Sequence, residues 1–145
     1  MALASVALND ARARLNDVAI TFFTDAILIP FLQIAFRELQ LRLHVKQNPV
    51  IKEASTIVSV AANATTVTLP ADLIQPQRLE EREAGSSELF DKMIEDDFET
   101  NIESIERIRF WAWREEEIKI VPPTQNREVR IYYLKGLTVP TTGAS

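Results

Sequence analysis

The sequence predicts an α+β fold: an N-terminal helical hairpin with a long apolar second helix, then a mostly antiparallel β domain made of a hairpin and a C-terminal meander. Three observations predict it. Between Thr24 and Asn48 apolar side chains recur at helical spacing. After Asn48-Pro49 the apolar period drops to two. From Ile108 onward, three alternating segments are separated by short polar or proline-containing loops.

The first helix is expected over residues 5–16, SVALNDARARLN. Leu8, Ala11 and Leu15 share one face, and Arg12 and Arg14 point elsewhere. A loop over 17–24 then joins it to the second helix. Residues 18–36 hold fourteen apolar residues out of nineteen. A membrane span is nonetheless excluded. Thr21, Thr24, Asp25, Pro30 and Gln33 interrupt the run, and an aspartate at a helix centre costs roughly 2.5–3.5 kcal/mol on insertion. No basic residue precedes Arg12, so a signal peptide is not expected either.

Thr24-Asp25 has the form of an N-cap followed by an acid in the first turn. Pro30 implies either a kink or a main helix that starts there. Beyond it, Gln33, Arg37, Gln40, His44 and Gln47 step along one polar face. Leu28, Leu32, Phe36, Leu39 and Leu43 step along another, and Ile27, Phe31, Ile34, Leu41 and Val45 widen the apolar side. Such a helix needs more than one neighbour, and some of those neighbours are expected to belong to other copies of the chain. Asn48-Pro49 ends it.

In the β region, 56–60 and 65–69 are expected as a hairpin about the turn Ala61–Ala64. LPADLIQP (69–76) reads as a two-proline corner, not a strand interior. The segment 77–83 alternates weakly, and Gly85-Ser86 turns it back. The acidic stretch 91–104 is expected as a short helix or a loop. The closing meander is 108–113, 118–121 and 128–134, with Trp111 and Trp113 on one face. The chain is thus read as one domain, helical over residues 1–48, β over residues 49–135, and ending in a flexible tail over residues 136–145.

Composition bounds the chemistry. The chain of 145 residues has no cysteine, which excludes disulfides, thiolate metal sites and cysteine catalysis. Net charge is −5, with eleven Asp/Glu against three Lys/Arg between 56 and 104, and no strongly basic segment. Sequence-reading DNA binding needs a basic stripe, so any nucleic-acid contact is confined to local spots. Three glycines, none in a phosphate-loop pattern, argue against nucleotide binding. His44 is the single histidine and reads as a solvated helix residue, not a zinc ligand. Asp91, Glu95, Asp96, Asp97 and Glu99 form an acidic run without the EF-hand pattern. A solvated loop is the plain reading; a small metal-dependent enzyme or nuclease is the sharper one. Trp111 and Trp113, beside Arg109 and Arg114, fit a core or an interface better than a base-stacking platform. No cofactor is expected.

Three stretches in this order carry a resemblance: FFTDAILIPFLQIAFRELQLRL, then STIVSVAANATTVTLPADLIQPQRL, then FWAWREEEIKIVPPTQNREVRIYYLKGL. Together, over residues 8–137, they resemble the head–tail connector (adaptor, or head-completion) proteins of tailed bacteriophages. The resemblance implies a non-enzymatic virion protein, made in the host cytoplasm. It implies a ring, typically of twelve copies, at the neck of the particle. That ring docks below the portal, extends the channel for double-stranded DNA without reading its sequence, and offers a platform to the tail or stopper. A tail-completion or tail-terminator ring is the neighbouring alternative. On this reading Leu28, Phe31, Leu32, Phe36, Leu39, Leu43, Trp111 and Trp113 are subunit-interface candidates. Arg37, Arg42, Lys46, Leu137, Val139 and Pro140 are partner-docking candidates. Glu95, Asp96, Asp97 and Glu99 are candidates to face the channel.

Overall fold

A computed structural model describes residues 4–98 and 103–139. The α+β class holds: two helices are followed by mostly antiparallel strands. The chain forms two compact units. One contains the helices and the segment from Leu137, the other Pro49–Gly136.

In the helical unit, α1 spans Ala4–Arg14 and α2 spans Asp25–Val45. The two pack on each other. Thr24 precedes α2 in extended conformation. Its carbonyl accepts from the Ile27 and Leu28 amides at 3.0 Å, but its side chain makes no cap. α2 runs unbroken through Pro30. Proline lacks the N–H that would pair with the Ala26 carbonyl, so the helix tolerates the loss of one bond in its second turn. Its end is a Schellman motif: Asn48 N–H donates to the Leu43 carbonyl (3.0 Å) and Gln47 N–H to that of His44 (2.9 Å). Gln47 takes the left-handed conformation (φ 46°) usually given to glycine. Pro49–Ile51 then forms a single 3₁₀ turn.

Among its described residues the β unit holds nine strands: β1 Lys52–Ala54, β2 Val58–Val60, β3 Thr66–Val67, β4 Leu73–Glu83, β5 Asp91–Lys92, β6 Ile94–Glu95, β7 Phe110–Arg114, β8 Glu117–Ile120 and β9 Arg127–Lys135. The first sheet runs β1-β9-β4-β5, with β2 also on β9. The second runs β3-β8-β7-β6, and only its β6-β7 pair is parallel. β1 and β2 are one edge broken by a bulge. Residues 55–57 stand opposite 130–131, and the Ser55 amide and hydroxyl both pair with Ile131.

The sheets share one core, in which Leu79, Val129, Ile131 and Tyr133 from the first meet Val67, Trp111, Ile118 and Ile120 from the second. The segment 91–96 ties them together. Met93 N–H donates to the Leu79 carbonyl in β4, whereas Ile94 and Asp96 N–H donate to the Arg109 and Trp111 carbonyls.

Four expectations are corrected. The strands around Ala61–Ala64 do not pair as a hairpin: β2 joins β9 and β3 joins β8, so the turn carries the chain from one sheet to the other. The closing meander is also divided. β7 and β8 form a tight hairpin on Glu115-Glu116, both at positive φ, but β9 returns to the first sheet. The corner at 69–76 is shorter than expected, because β4 begins at Leu73 and absorbs Pro76 at a register shift. Over the described residues of 91–104 there are two short strands and no helix.

Inward alternation along β4 and β9 puts two charges inside. Arg127 and Glu81 have side chains only 6% and 4% exposed, and Arg127 Nε donates to Glu81 at 2.7 Å. Burial pushes the Glu81 carboxyl up, and Arg127 pulls against that shift. Removing one member of such a pair strands the other. Arg127→Met is therefore expected to cost about 3–5 kcal/mol in urea unfolding. The double variant with Glu81→Met recovers most of that loss.

Candidate functional site

The helical unit turns its polarity inside out at two places. The first is the loop 17–24. Asp17 is buried, and its carboxylate accepts three backbone amides: Thr21 at 2.9 Å, Phe22 at 3.0 Å and Phe23 at 2.7 Å. Arg12, also buried, donates Nε to the Phe23 carbonyl (2.9 Å) and pairs with Asp25 at the start of α2. Two charged side chains thus satisfy the loop's backbone from within. The apolar side chains are left outside: Val18, Ile20 and Phe22 are exposed, Phe22 by 75%. Ile20 sits at φ 56°, a conformation that β-branched residues rarely adopt. Its amide is held by the Asp17 carbonyl at 3.1 Å. Strain of this kind persists only where surrounding bonds over-determine it.

The second place is α2 itself. The covered side carries Leu28, Ile29, Leu32, Phe36 and Leu43, but also Gln33, Gln40 and His44. The open side carries Ile27, Phe31, Ile34, Leu41 and Val45; Phe31 is 66% and Val45 72% exposed. His44 is therefore half-buried and not solvated, and its Nδ1 has no hydrogen-bond partner among the described residues.

The expected site residues divide accordingly. Of the interface candidates, Phe31 and Leu39 are exposed, Leu32, Phe36, Leu43 and Trp113 are half-buried, and Leu28 (8%) and Trp111 (1%) are buried. Leu28 and Trp111 both face the interior of their own chain. Trp111 is a core residue because β7 is covered by β8, β6 and the opposite sheet. Arg37 and Arg42 are exposed on α2 and Lys46 is exposed at its C-cap, and Arg42 pairs with Glu38 at 2.5 Å. Leu137 and Val139 are half-buried, and Pro140 lies outside the described residues. Glu95, Asp96 and Asp97 are exposed. Asp97 pairs with Arg114, whose guanidinium also donates to the Phe98 carbonyl at 2.7 Å. Glu99 lies outside the described residues. The structure thus brings Arg37 and Arg42 onto one helix with Phe31, with Lys46 at its C-cap, whereas the acids belong to the β unit.

Arg12, Asp17, Val18, Ile20 and Phe22 were not singled out by the sequence. Their signal is an apolar loop bracketed by two charges.

Elsewhere the β unit has open grooves. One of about 410 Å³ lies between Lys52–Ala54, Gln77, Arg78 and Tyr132, and another of about 430 Å³ is lined by Ser55, Thr68, Asp72 and Tyr133. Tyr133 donates its hydroxyl to Asp72 at 2.9 Å; burial and that carboxylate push it up to about 12. Outside the grooves, Phe90 is stacked between Arg82 and Arg130. None of these arrangements joins a nucleophile to a base. Among the described residues no group of three or more His, Asp or Glu is disposed to hold a metal ion, and no helix is long and apolar enough to cross a membrane.

A chain with outward apolar surfaces of this extent is of the kind that works by contact with other proteins. Compared with known families, it matches over residues 1–145 the one described as SU10 adaptor protein, and it belongs to that family. It is thus a bacteriophage adaptor: a structural component of the virion that contacts other virion proteins. No match is found among curated proteins.

The loop lock is expected to depend on pH. The Asp17 carboxyl lies below its ordinary value of 3.8, chiefly through the Phe23 amide; burial opposes, and the Thr21 and Phe22 amides and Arg12 add to the lowering. A lowered carboxylate stabilises the fold above its ordinary value, and that contribution fades as pH falls through the folded one. Asp17→Asn is expected to lower Tm at neutral pH. Its deficit against the parent should shrink as pH falls below the ordinary carboxylate value and on through the lowered folded one. Circular-dichroism melts across that range check it; a constant deficit refutes the titrating lock.

Proposed function

We propose that this adaptor assembles into a ring at the neck of the particle, docks below the portal, continues the DNA channel and presents a platform to the tail or stopper. The inverted polarity of the helical unit carries this reading. Burying charge to expose apolar side chains is costly in an isolated chain. It is recovered where another protein covers the exposed side.

The loop Val18–Phe22 is the surface on which copies meet. A ring needs head-to-tail contacts, in which a patch on one copy meets a different patch on the next. A rigid apolar knob suits that role because little ordering entropy remains to be lost on contact. The open side of α2, with Arg37, Arg42 and Lys46, is the docking surface for a different partner. Leu137 and Val139 extend the contact with that partner. Glu95 and Asp96 face the channel, where carboxylates keep phosphates from adhering as DNA slides past.

Electron microscopy and mass photometry of the purified chain, alone and with portal, test the proposal; a strict monomer that ignores portal overturns it. Phe22→Asp is expected to leave Tm almost unchanged, since the side chain is largely in solvent, and to abolish the ring. Asp96→Asn with Asp97→Asn is expected to leave assembly intact. A metal-dependent activity lost in that double variant would instead favour the enzyme reading.

A further inference from the structure

The open side of α2 has a finer pattern than a greasy face. Ile27, Phe31, Ile34, Glu38, Leu41 and Val45 step by 4, 3, 4, 3 and 4. Five of the six are apolar and exposed, and at 100° per residue they fall within roughly 80° of the helix circumference. Exposed Leu39 lies outside it, but a stripe that narrow with a 3.5-residue repeat has the spacing of a coiled-coil seam, which suits another helix better than a sheet. It is about 27 Å long at 1.5 Å per residue.

The positions flanking the seam in the middle of the helix are Arg37 on one side and Arg42 on the other. Arg37 has no ion-pair partner among the described residues. Glu38 is the single polar layer and is already paired with Arg42. A second copy of α2 does not fit this seam. In a parallel pair, flanking residues five apart face each other across the dimer, so Arg37 meets Arg42 of the other copy. Glu38 also meets Glu38. In an antiparallel pair centred on the seam, Arg37 meets Arg37. Both arrangements oppose like charges. α1, with eleven residues, is too short to cover the seam, and no other α-helix occurs among the described residues.

We infer that the open side of α2 seats an amphipathic helix of another virion protein, one whose apolar stripe is flanked by carboxylates. The inference rests on the docking role proposed above and names the chemistry of the partner. Carboxylates beside the incoming stripe meet Arg37 and Arg42, and Glu38 fixes the register as one polar layer in an apolar seam.

The full-length chain is titrated with two synthetic helical peptides of about three heptads. Both carry leucine at the seam positions; one has glutamate and the other lysine at every flanking position. The glutamate peptide is expected to bind about tenfold more tightly than the lysine peptide. The double variant Arg37→Glu, Arg42→Glu should reverse that preference. Phe31→Asp should remove binding of both peptides, with Tm measured alongside to show that the variant is folded. Equal binding of the two peptides, or none by folded parent chain, overturns the inference. So does self-association of the parent chain that Phe31→Asp abolishes, because the occupant is then a second copy. Ring and portal assembly is read separately by electron microscopy. A chain that assembles but ignores both peptides fails this inference and leaves the adaptor reading standing. A chain that prefers the glutamate peptide but never assembles does the reverse.

Discussion

The helical unit depends on the pairing of two buried side chains, Arg12 and Asp17, with the backbone of the loop between the helices. Asp17 gathers three consecutive amides, and Arg12 holds a carbonyl of the same loop and the first residue of α2. Without these bonds the loop's polar backbone would have to turn to water, and its apolar side chains would turn inward. With them, the usual distribution is reversed, and Ile20 is kept in a backbone conformation it would not otherwise hold. Where α2 begins, and which way Val18, Ile20 and Phe22 point, follow from this lock.

The same reversal recurs along α2. Glutamines and a histidine lie on the covered side and an isoleucine-rich stripe lies in the open. Two independent reversals on one small unit are difficult to reconcile with a chain that works alone. They fit an adaptor, a protein that contacts other virion proteins. The β unit shows the opposite economy. Its two sheets share a continuous core, and its deeply buried ion pair, Glu81 with Arg127, is mutually satisfied.

Much of this was legible in the sequence. Helical spacing and the Asn48-Pro49 stop placed α2 and its end; its start was left open between Thr24-Asp25 and Pro30, because proline also suits a first helical position, and the helix in fact begins at Asp25. Period-two alternation found β7, β8 and β9. Strand partners were not legible, because alternation says which side chains share a face but not which strand lies alongside. The hairpin around Ala61–Ala64 and the three-strand meander are both natural readings of short loops, and in both cases the chain changes sheets instead. The choice between stripes of α2 was equally hidden. Leu28, Leu32, Phe36 and Leu43 are as apolar as Ile27, Phe31, Ile34 and Leu41, and only packing decides which set is covered. Charge alone places Arg12 on the surface, whereas its loop partners draw it inside.

The segment 91–96 has a mechanical consequence. Within six residues it bonds first to β4 of one sheet and then to β7 of the other, with Met93 sunk between them. A crossing this short behaves as a rivet. Sliding the two layers past each other requires shearing main-chain bonds on both sides at once. Bonds loaded together in shear resist far more force than bonds that open one at a time, so the domain is built to keep its shape under sideways load.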